Sequence, residues 1–288
     1  MPTIHKLLTE AIPELEAAGV ATPRLDAEVL LAHVLGKDRG WVWVHPEAVP
    51  SVEDEERFRA LLARRLKREP LAYLLGEWEF YGRPFFVTPD VLVPRPETEL
   101  LVEAVVAWAR ERRAAELADI GAGSGAIAVT LALELPDAQI VAMDLSPHAL
   151  AVTQHNAERH GVLDRLTLLE GDLLEPIRQA ERAPLDAIVA NLPYIAEEEY
   201  PTLMPEVREH EPLLALRAGE GGLALIRRLI ADAPPLLASA GLLALEVGMG
   251  QAERVVSLLK ETGWRLLRVI EDYGGIPRHI LAIAPRED

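Results

Sequence analysis

The sequence predicts an α/β fold, a doubly wound, mostly parallel seven-stranded sheet with an antiparallel edge hairpin, preceded by a small all-α N-terminal domain. Three observations carry this. Residues 117–125, Leu-Ala-Asp-Ile-Gly-Ala-Gly-Ser-Gly, read as a buried strand breaking into a glycine-rich turn, with a helix opening over 126–135. Downstream, short apolar runs alternate with helical runs, as in a parallel sheet with helical crossovers. Upstream, residues 1–70 hold only helical periodicities.

In order, Ile4, Leu7, Leu8, Ala11, Ile12 and Leu15 recur at helical spacing after Thr3, a candidate N-cap, and Pro13 is expected to kink or shift this helix. Thr22-Pro23 has the form of an N-cap followed by proline at the first helical position; the helix over 24–35 is apolar nearly all round and stops at Gly36. Ser51 and Asp54 form a capping box that opens a helix through Arg68, closed by Pro70, with Phe58, Leu61, Leu62 and Leu66 inward. The same helix carries Arg57, Arg64, Arg65 and Arg68 at helical spacing. A solvated face is the simpler reading of that stripe, and a docking face for an acidic partner the other. With no paired acids, nucleophile or ligand cluster, residues 1–70 read as a binding module.

Residues 71–96 interleave Trp78, Phe80, Tyr81, Phe85 and Phe86 with Pro84, Pro89 and Pro94, which suggests a β-hairpin or extended connector. Residues 97–288 form the catalytic domain of this reading. A helix starting at Pro94-Arg95-Pro96-Glu97-Thr98-Glu99 runs to about residue 115, with acids in its first turn as the helix dipole favours. Strands follow at 117–120, 139–143, Leu166–Glu170, Leu185–Ala190 and 242–247, with helices at 147–160 and 223–231 and a Pro- and Glu-rich loop to about 218. Runs at 264–270 and 279–284 are too close for a helical crossover and should pair antiparallel at the sheet edge.

The chain has 288 residues, 50% of them hydrophobic, and a formal charge of −17, which argues against bulk electrostatic binding of DNA or RNA. The absence of cysteine excludes disulfides, thiolate metal sites and a thiol nucleophile. The eight histidines show no metal-ligand spacing, so no metal is expected. No apolar run reaches membrane-spanning length, and Glu10, Glu14 and Glu16 replace a signal-peptide core, so the expected location is cytoplasmic with no membrane partner.

The glycine turn alone leaves two ligands open. Gly121, Gly123 and Ala126 satisfy the dinucleotide fingerprint, with Asp144 about 20 residues on for a ribose, so NAD and another nucleoside fit equally. Asp119 tips the balance: a carboxylate there repels a pyrophosphate and attracts the α-ammonium of a methionine moiety. The bland alternative is that it caps the turn. Asp144 and Asp172 end two strands, where ligands of open α/β sheets bind. Asp144 can hold ribose hydroxyls, Asp172 with Leu173 can flank an adenine, and either acid can instead be a helix N-cap.

A doubly wound sheet with Asp119 before Gly-x-Gly-x-Gly, Asp144 on the second strand and a closing antiparallel hairpin resembles the S-adenosylmethionine-dependent methyltransferases. Asn191-Leu192-Pro193-Tyr194 after the fourth strand resembles the motif of their amino-methylating branch, which holds a planar conjugated nitrogen against the methyl group. Such a nitrogen is a poor nucleophile, so geometry must help. Acceptance of its N–H bonds by the Asn191 side-chain oxygen and the Leu192 carbonyl would aim the lone pair at the methyl and favour developing positive charge. Tyr194 can pack on the conjugated plane, and Pro193 stiffens the turn. The methylated cation is acidic enough to lose its proton to water, so no general base is needed.

The resemblance narrows with Pro94–Glu99, Asp119–Ala128, Ser146-Pro147 with Ala149-Leu150, and Pro205-Glu206-Val207 with Glu211-Pro212, which look like the protein-(glutamine-N5) methyltransferase family. Pro23-Arg24-Leu25-Asp26-Ala27-Glu28 and the helical N-terminal unit look like its branch acting on peptide chain release factors. This resemblance implies S-adenosyl-L-methionine as cofactor, bound by Asp119, Gly121, Ala122, Gly123, Ser124, Gly125, Asp144, Asp172, Leu173 and Asn191. It implies methylation of the glutamine in the Gly-Gly-Gln loop of class-1 release factors at Asn191, Leu192, Pro193 and Tyr194, with residues 1–70 as a helical substrate-docking domain and no direct nucleic-acid partner. Two positions depart from the family pattern. Leu192 replaces the usual proline, and His210 stands where tyrosine often precedes Glu-Pro. Asn-Leu-Pro-Tyr is the form of rRNA adenine dimethyltransferases, so an RNA substrate is an alternative, although those enzymes lack the Pro-Arg-Pro-Glu-Thr-Glu segment. Ribosomal protein L3 and an inactive cofactor-binding adaptor are the others.

Overall fold

The computed structural model describes residues 1–180 and 184–285. It divides into two compact units, Met1–Glu77 with Leu203–His210, and Trp78–Thr202 with the chain from Glu211 onward.

The first unit is helical: α1 (Ile4–Ala17), α2 (Pro23–Leu35), α3 (Arg39–Val44), α4 (Val52–Leu66), α5 (Leu71–Leu75), and the short helix Pro205–His210, which is α10 in chain order. Ile4, Leu7, Leu15, Leu30, Leu31 and Phe58 form its core. Thr3 Oγ1 accepts from the Lys6 N–H and Ser51 Oγ from the Asp54 N–H, so two of the three expected caps form. Thr22 departs from expectation: its hydroxyl donates to Asp26 Oδ1 at 2.7 Å and makes no capping bond. Pro13 does not end α1. The carbonyl deprived of its partner belongs to the exposed Thr9, where water can take the bond. The sequence reading missed α3 and α5, which are barely longer than one turn and carry little periodicity.

The arginine stripe is not one solvated face. Arg65 is buried; its Nε donates to Asp26 Oδ2 at 2.7 Å and its Nη2 to Glu206 Oε1 at 2.9 Å. Arg68 donates through Nε to the same Oε1 at 2.7 Å and through Nη2 to Oε2. Arg64 pairs with Glu69 and Arg57 with Asp54. Two arginines are thus spent inside the unit, holding α10 to α2 and α4, and residues 203–210 belong here and not with the catalytic domain as the sequence suggested. His210 Nε2 bonds the Lys67 carbonyl at 3.1 Å, which is what this departure from the family pattern does structurally.

The second unit opens with the expected hairpin, β1 (Glu77–Phe80) and β2 (Arg83–Phe86), and then runs α6 (Pro96–Arg112), β3 (Glu116–Ile120), α7 (Ala126–Glu134), β4 (Gln139–Asp144), α8 (Pro147–Arg159), β5 (Leu166–Glu170), α9 (Glu175–Gln179) and β6 (Leu185–Ala190). After α10 come α11 (Leu213–Leu216), α12 (Ala224–Asp232), β7 (Leu237–Glu246), α13 (Ala252–Glu261), β8 (Arg265–Glu271) and β9 (Pro277–Ile283). The stretch read as a long loop to 218 therefore contains two short helices. The seven strands lie in the order β5-β4-β3-β6-β7-β9-β8, parallel except for β9, antiparallel to both neighbours. Side-chain alternation builds two cores. Leu117 and Ile140 pack with Val105 and Leu131 on one face; Ala118 and Val141 share the other with Leu229 and Val255.

Strand order reverses between β3 and β6, the switch point at which open α/β sheets bind ligands. Ile120 pairs with Ala190 in register, so both strands end at the same level. Gly121 and Asn191 leave the sheet side by side.

Candidate active site

A cavity of 270 Å³ opens at this switch point, lined by Gly121, Ala122, Gly123 and Ser124 of the turn, Asp144, Asp172 and Leu173 from neighbouring strand ends, and Asn191, Leu192 and Pro193 after β6. Ten of the expected site residues thus share one wall. Asp119, Gly125 and Tyr194 do not line it, and each has a structural place of its own.

Asp119 is fully buried beneath the turn. Its Oδ2 accepts the Ala128 N–H at 3.0 Å, and Oδ1 has no hydrogen-bond partner among the described residues. Burial pushes its carboxyl up to about 7, opposed by the Ala128 bond and reinforced by the charge of Asp144. Through this bond Asp119 holds the start of α7, and it lies outside the residues that line the cavity. Because the folded value lies above the ordinary one, this group stabilises the fold most at low pH and loses that contribution as pH rises through about 7. Asp119→Asn mimics the neutral acid. Between about pH 5 and pH 8 wild type should lose roughly 1–3 kcal/mol relative to the variant, measured by denaturant melts. A stability difference that stays constant with pH refutes this account.

Gly125 begins α7 with φ +78°, and a Cβ there would stand 2.9 Å from Thr153 Cγ2. The glycine permits the close approach of α7 to α8. Gly121 does face the site: its φ is +81°, and a Cβ there would meet the Leu192 side chain at 3.3 Å.

Asp144 accepts from Gly123 N–H through Oδ2 and from Ser146 N–H through Oδ1, both at 2.9 Å; burial raises its pKa against these bonds. Two donors a pyrophosphate would use, the N–H groups of Gly123 and Ala128, are already taken by carboxylates of the chain itself. That disfavours the dinucleotide reading, while each Asp144 oxygen keeps a lone pair for a ribose hydroxyl. Asp172 also pairs with Arg228 at 2.6 Å.

Tyr194 is held from outside the cavity. Its hydroxyl accepts from Arg278 Nη2 at 3.0 Å, the guanidinium lies 5.4 Å from its ring centre, and its carbonyl accepts from Gln251 Nε2 at 2.9 Å. Burial raises its pKa. These contacts make Tyr194 an anchor of the 191–194 turn, and its ring is not among the residues lining the cavity. Leu192 is buried in the apolar core and contributes its side chain to packing as well as its carbonyl to the turn.

A family model described as the PrmC N-terminal domain matches residues 6–76, and one described as a methyltransferase domain matches residues 117–210. A release factor glutamine methyltransferase of Geobacter sulfurreducens is 45% identical over 276 residues, covering 96% of this chain and 95% of that protein. One from Moorella thermoacetica is 44% identical over 288 residues, covering 99% and 100%. The chain belongs to the release factor glutamine methyltransferase family. Among solved structures, the hMettl16 catalytic domain in complex with an RNA hairpin is similar with a TM-score of 0.57 at 18% identity, over 79% of this chain and 83% of that one; it shares the fold.

The family motifs acquire physical roles here. Asp26, from the Pro23–Glu28 stretch, and Glu206, from Pro205-Glu206-Val207, meet at Arg65. Arg95 of Pro94–Glu99 donates to both oxygens of the buried Glu211 at 2.7 Å. Burial raises Glu211 while Arg95 pulls it down. Thr98, in the same stretch but with no role assigned from the sequence, accepts a hydrogen bond from Asn191.

Proposed function

We propose that this protein transfers a methyl group from S-adenosyl-L-methionine to the side-chain amide nitrogen, N5, of the glutamine in the Gly-Gly-Gln loop of class-1 peptide chain release factors, in the cytoplasm. The observation that carries the reading is the placement of Asn191 beside Gly121 at the sheet switch point, one amide next to a carboxylate-tied glycine turn. The names of the relatives support the substrate.

The site fits the cofactor. The turn approaches without side chains at Gly121 and Gly123, Asp144 has lone pairs for the ribose, and Asp172 with Leu173 flanks the far end. Bound there, the cofactor supplies an electrophilic methyl on a sulfonium, whose S–C bond breaks as the N–C bond forms. The chain's part is orientation. Asn191 Oδ1 and the Leu192 carbonyl accept the two N–H bonds of the glutamine amide and direct its lone pair across the cavity. The surplus proton leaves to water.

The helical unit docks the release factor in this reading. It holds no reactive cluster in the sequence, and it exposes Trp43, Val44, Val49 and Val52, apolar side chains suited to a protein partner. The test is incubation with methyl-labelled S-adenosylmethionine and, separately, intact release factor, a short Gly-Gly-Gln peptide, ribosomal protein L3 and rRNA, followed by mass spectrometry. Label on the release-factor glutamine, with the peptide at least about 100-fold poorer in kcat/KM because it lacks the remote contacts, is expected. Label on L3 or on adenine instead sinks the proposal.

A further inference from the structure

The Asn191 amide is held by a polar relay that no part of the functional reading above requires. Asn191 Nδ2 lies 3.2 Å from Thr98 Oγ1, and Thr98 Oγ1 lies 2.7 Å from Glu246 Oε2. The three residues come from different elements: Asn191 follows β6, Thr98 is in the first turn of α6, and Glu246 ends β7. Thr98 and Glu246 are both buried, so neither is exchanging its bond with bulk water. Around Glu246 stand the Arg278 guanidinium, 3.7 Å from Oε1, and His279 Nε2, 3.6 Å from Oε2.

Proton counting gives this relay a direction. A carboxylate has no hydrogen to give, so the Thr98 hydroxyl must donate to Glu246. Its single hydrogen spent, Thr98 Oγ1 can only accept from Asn191. The amide of Asn191 is therefore turned with NH₂ toward Thr98 and Oδ1 as its free end. Left without this constraint an asparagine amide can flip, and a flipped Asn191 would present a donor to an incoming NH₂ group and repel it.

We propose that Thr98 and Glu246 are positioning residues that set the polarity of the Asn191 amide, making it an acceptor of the glutamine N–H bonds. The proposal rests on the function assigned above for its kinetic readout. It also has a spectroscopic readout independent of any substrate.

The test uses the full chain with Thr98→Val, Thr98→Ser and Glu246→Gln. Valine keeps the shape of threonine and removes the hydroxyl; serine keeps the hydroxyl. Glutamine at 246 can donate to Thr98, which lets the hydroxyl turn to Asn191 Oδ1 and invert the amide. Thr98→Val and Glu246→Gln should lower kcat by about 10–100-fold, the scale for loosening a preorganised polar group, with KM for S-adenosylmethionine unchanged and Thr98→Ser restoring most of the rate. In parallel, the Asn191 side-chain NH₂ resonances of selectively labelled protein, assigned by their loss in Asn191→Asp, should exchange slowly in wild type and in Thr98→Ser, and faster in Thr98→Val. Wild-type rates in Thr98→Val, or a serine variant as poor as the valine one, overturn the proposal. Unchanged Asn191 resonances across the series overturn it even where no methyl acceptor is found. Absence of glutamine methylation by wild type, with the resonances responding as expected, would count against the substrate assignment and leave the relay supported.

Discussion

Asn191→Ala should lower kcat on whole release factor by roughly 10²–10³-fold, the range seen when one preorganised polar group is removed from a developing charge. Affinity for S-adenosylhomocysteine, measured by calorimetry, should stay within about twofold, because the loss falls on the transition state and not on ground-state binding. The contrast is Leu192→Pro. That change keeps the carbonyl, which is the atom the mechanism uses, but gives up an apolar side chain buried in the sheet core against the glycine turn. It should cost stability, about 1–3 kcal/mol in a denaturant melt, while most of the activity survives. A folded Leu192→Pro enzyme as inactive as Asn191→Ala would show that the leucine side chain shapes the site in a way its packing does not explain. An Asn191→Ala enzyme that loses cofactor affinity in step with rate would move Asn191 from catalysis to binding.

The sheet was legible in the sequence because its central strands are buried on both faces, so each appears as an apolar run bounded by turn residues. Leu166–Glu170 and Leu185–Ala190 coincide with β5 and β6 to the residue. β7 begins at Leu237 instead of 242, since Ala238, Ser239, Ala240 and Gly241 interrupt the hydrophobic run, and the pairing with β6 shifts there. The cavity wall was legible for a different reason. Glycines at a strand end and acids at two others must lie at one edge of a parallel sheet. What the sequence could not show is which charged groups face each other. The sequence offered Asp119 to a ligand because it precedes the turn, yet strand alternation and burial turn its carboxylate beneath the turn, toward the α7 backbone. Arg65 and Arg68 looked like surface because arginines at helical spacing look alike whether solvent or a distant glutamate receives them. Thr98 was visible only as one residue of the Pro94–Glu99 stretch that starts a helix, and its partners Asn191 and Glu246 are distant in sequence.

Arg65→Met should destabilise the helical unit by about 3–5 kcal/mol, the cost of leaving buried charge without its counterion. Arg65 meets Asp26 on α2, the Glu69 carbonyl, and Glu206 on α10. Without it Asp26 retains only the Thr22 hydroxyl among the partners described above. Glu206 is less exposed to the loss, because Arg68 still holds both of its oxygens. Its carboxyl, pushed up by burial, is nevertheless held below its ordinary value by the hydrogen bonds from Arg68 and Arg65. A depressed carboxylate stabilises above its unfolded value, near 4.5, and ceases to as pH falls through the folded one. Hydrogen exchange of α2 and α4 amides should therefore be on the order of 10²–10⁴-fold faster in Arg65→Met than in wild type at neutral pH, with the gap narrowing in acid. Two controls separate charge from packing. Arg64→Met, at a half-exposed arginine paired with Glu69, should cost only about 0–1 kcal/mol. The double variant Asp26→Leu with Arg65→Met removes the orphaned carboxylate together with its partner, and should recover much of the lost protection. A double variant as unstable as Arg65→Met alone would mean that the arginine acts through its aliphatic packing and not through the ion pairs.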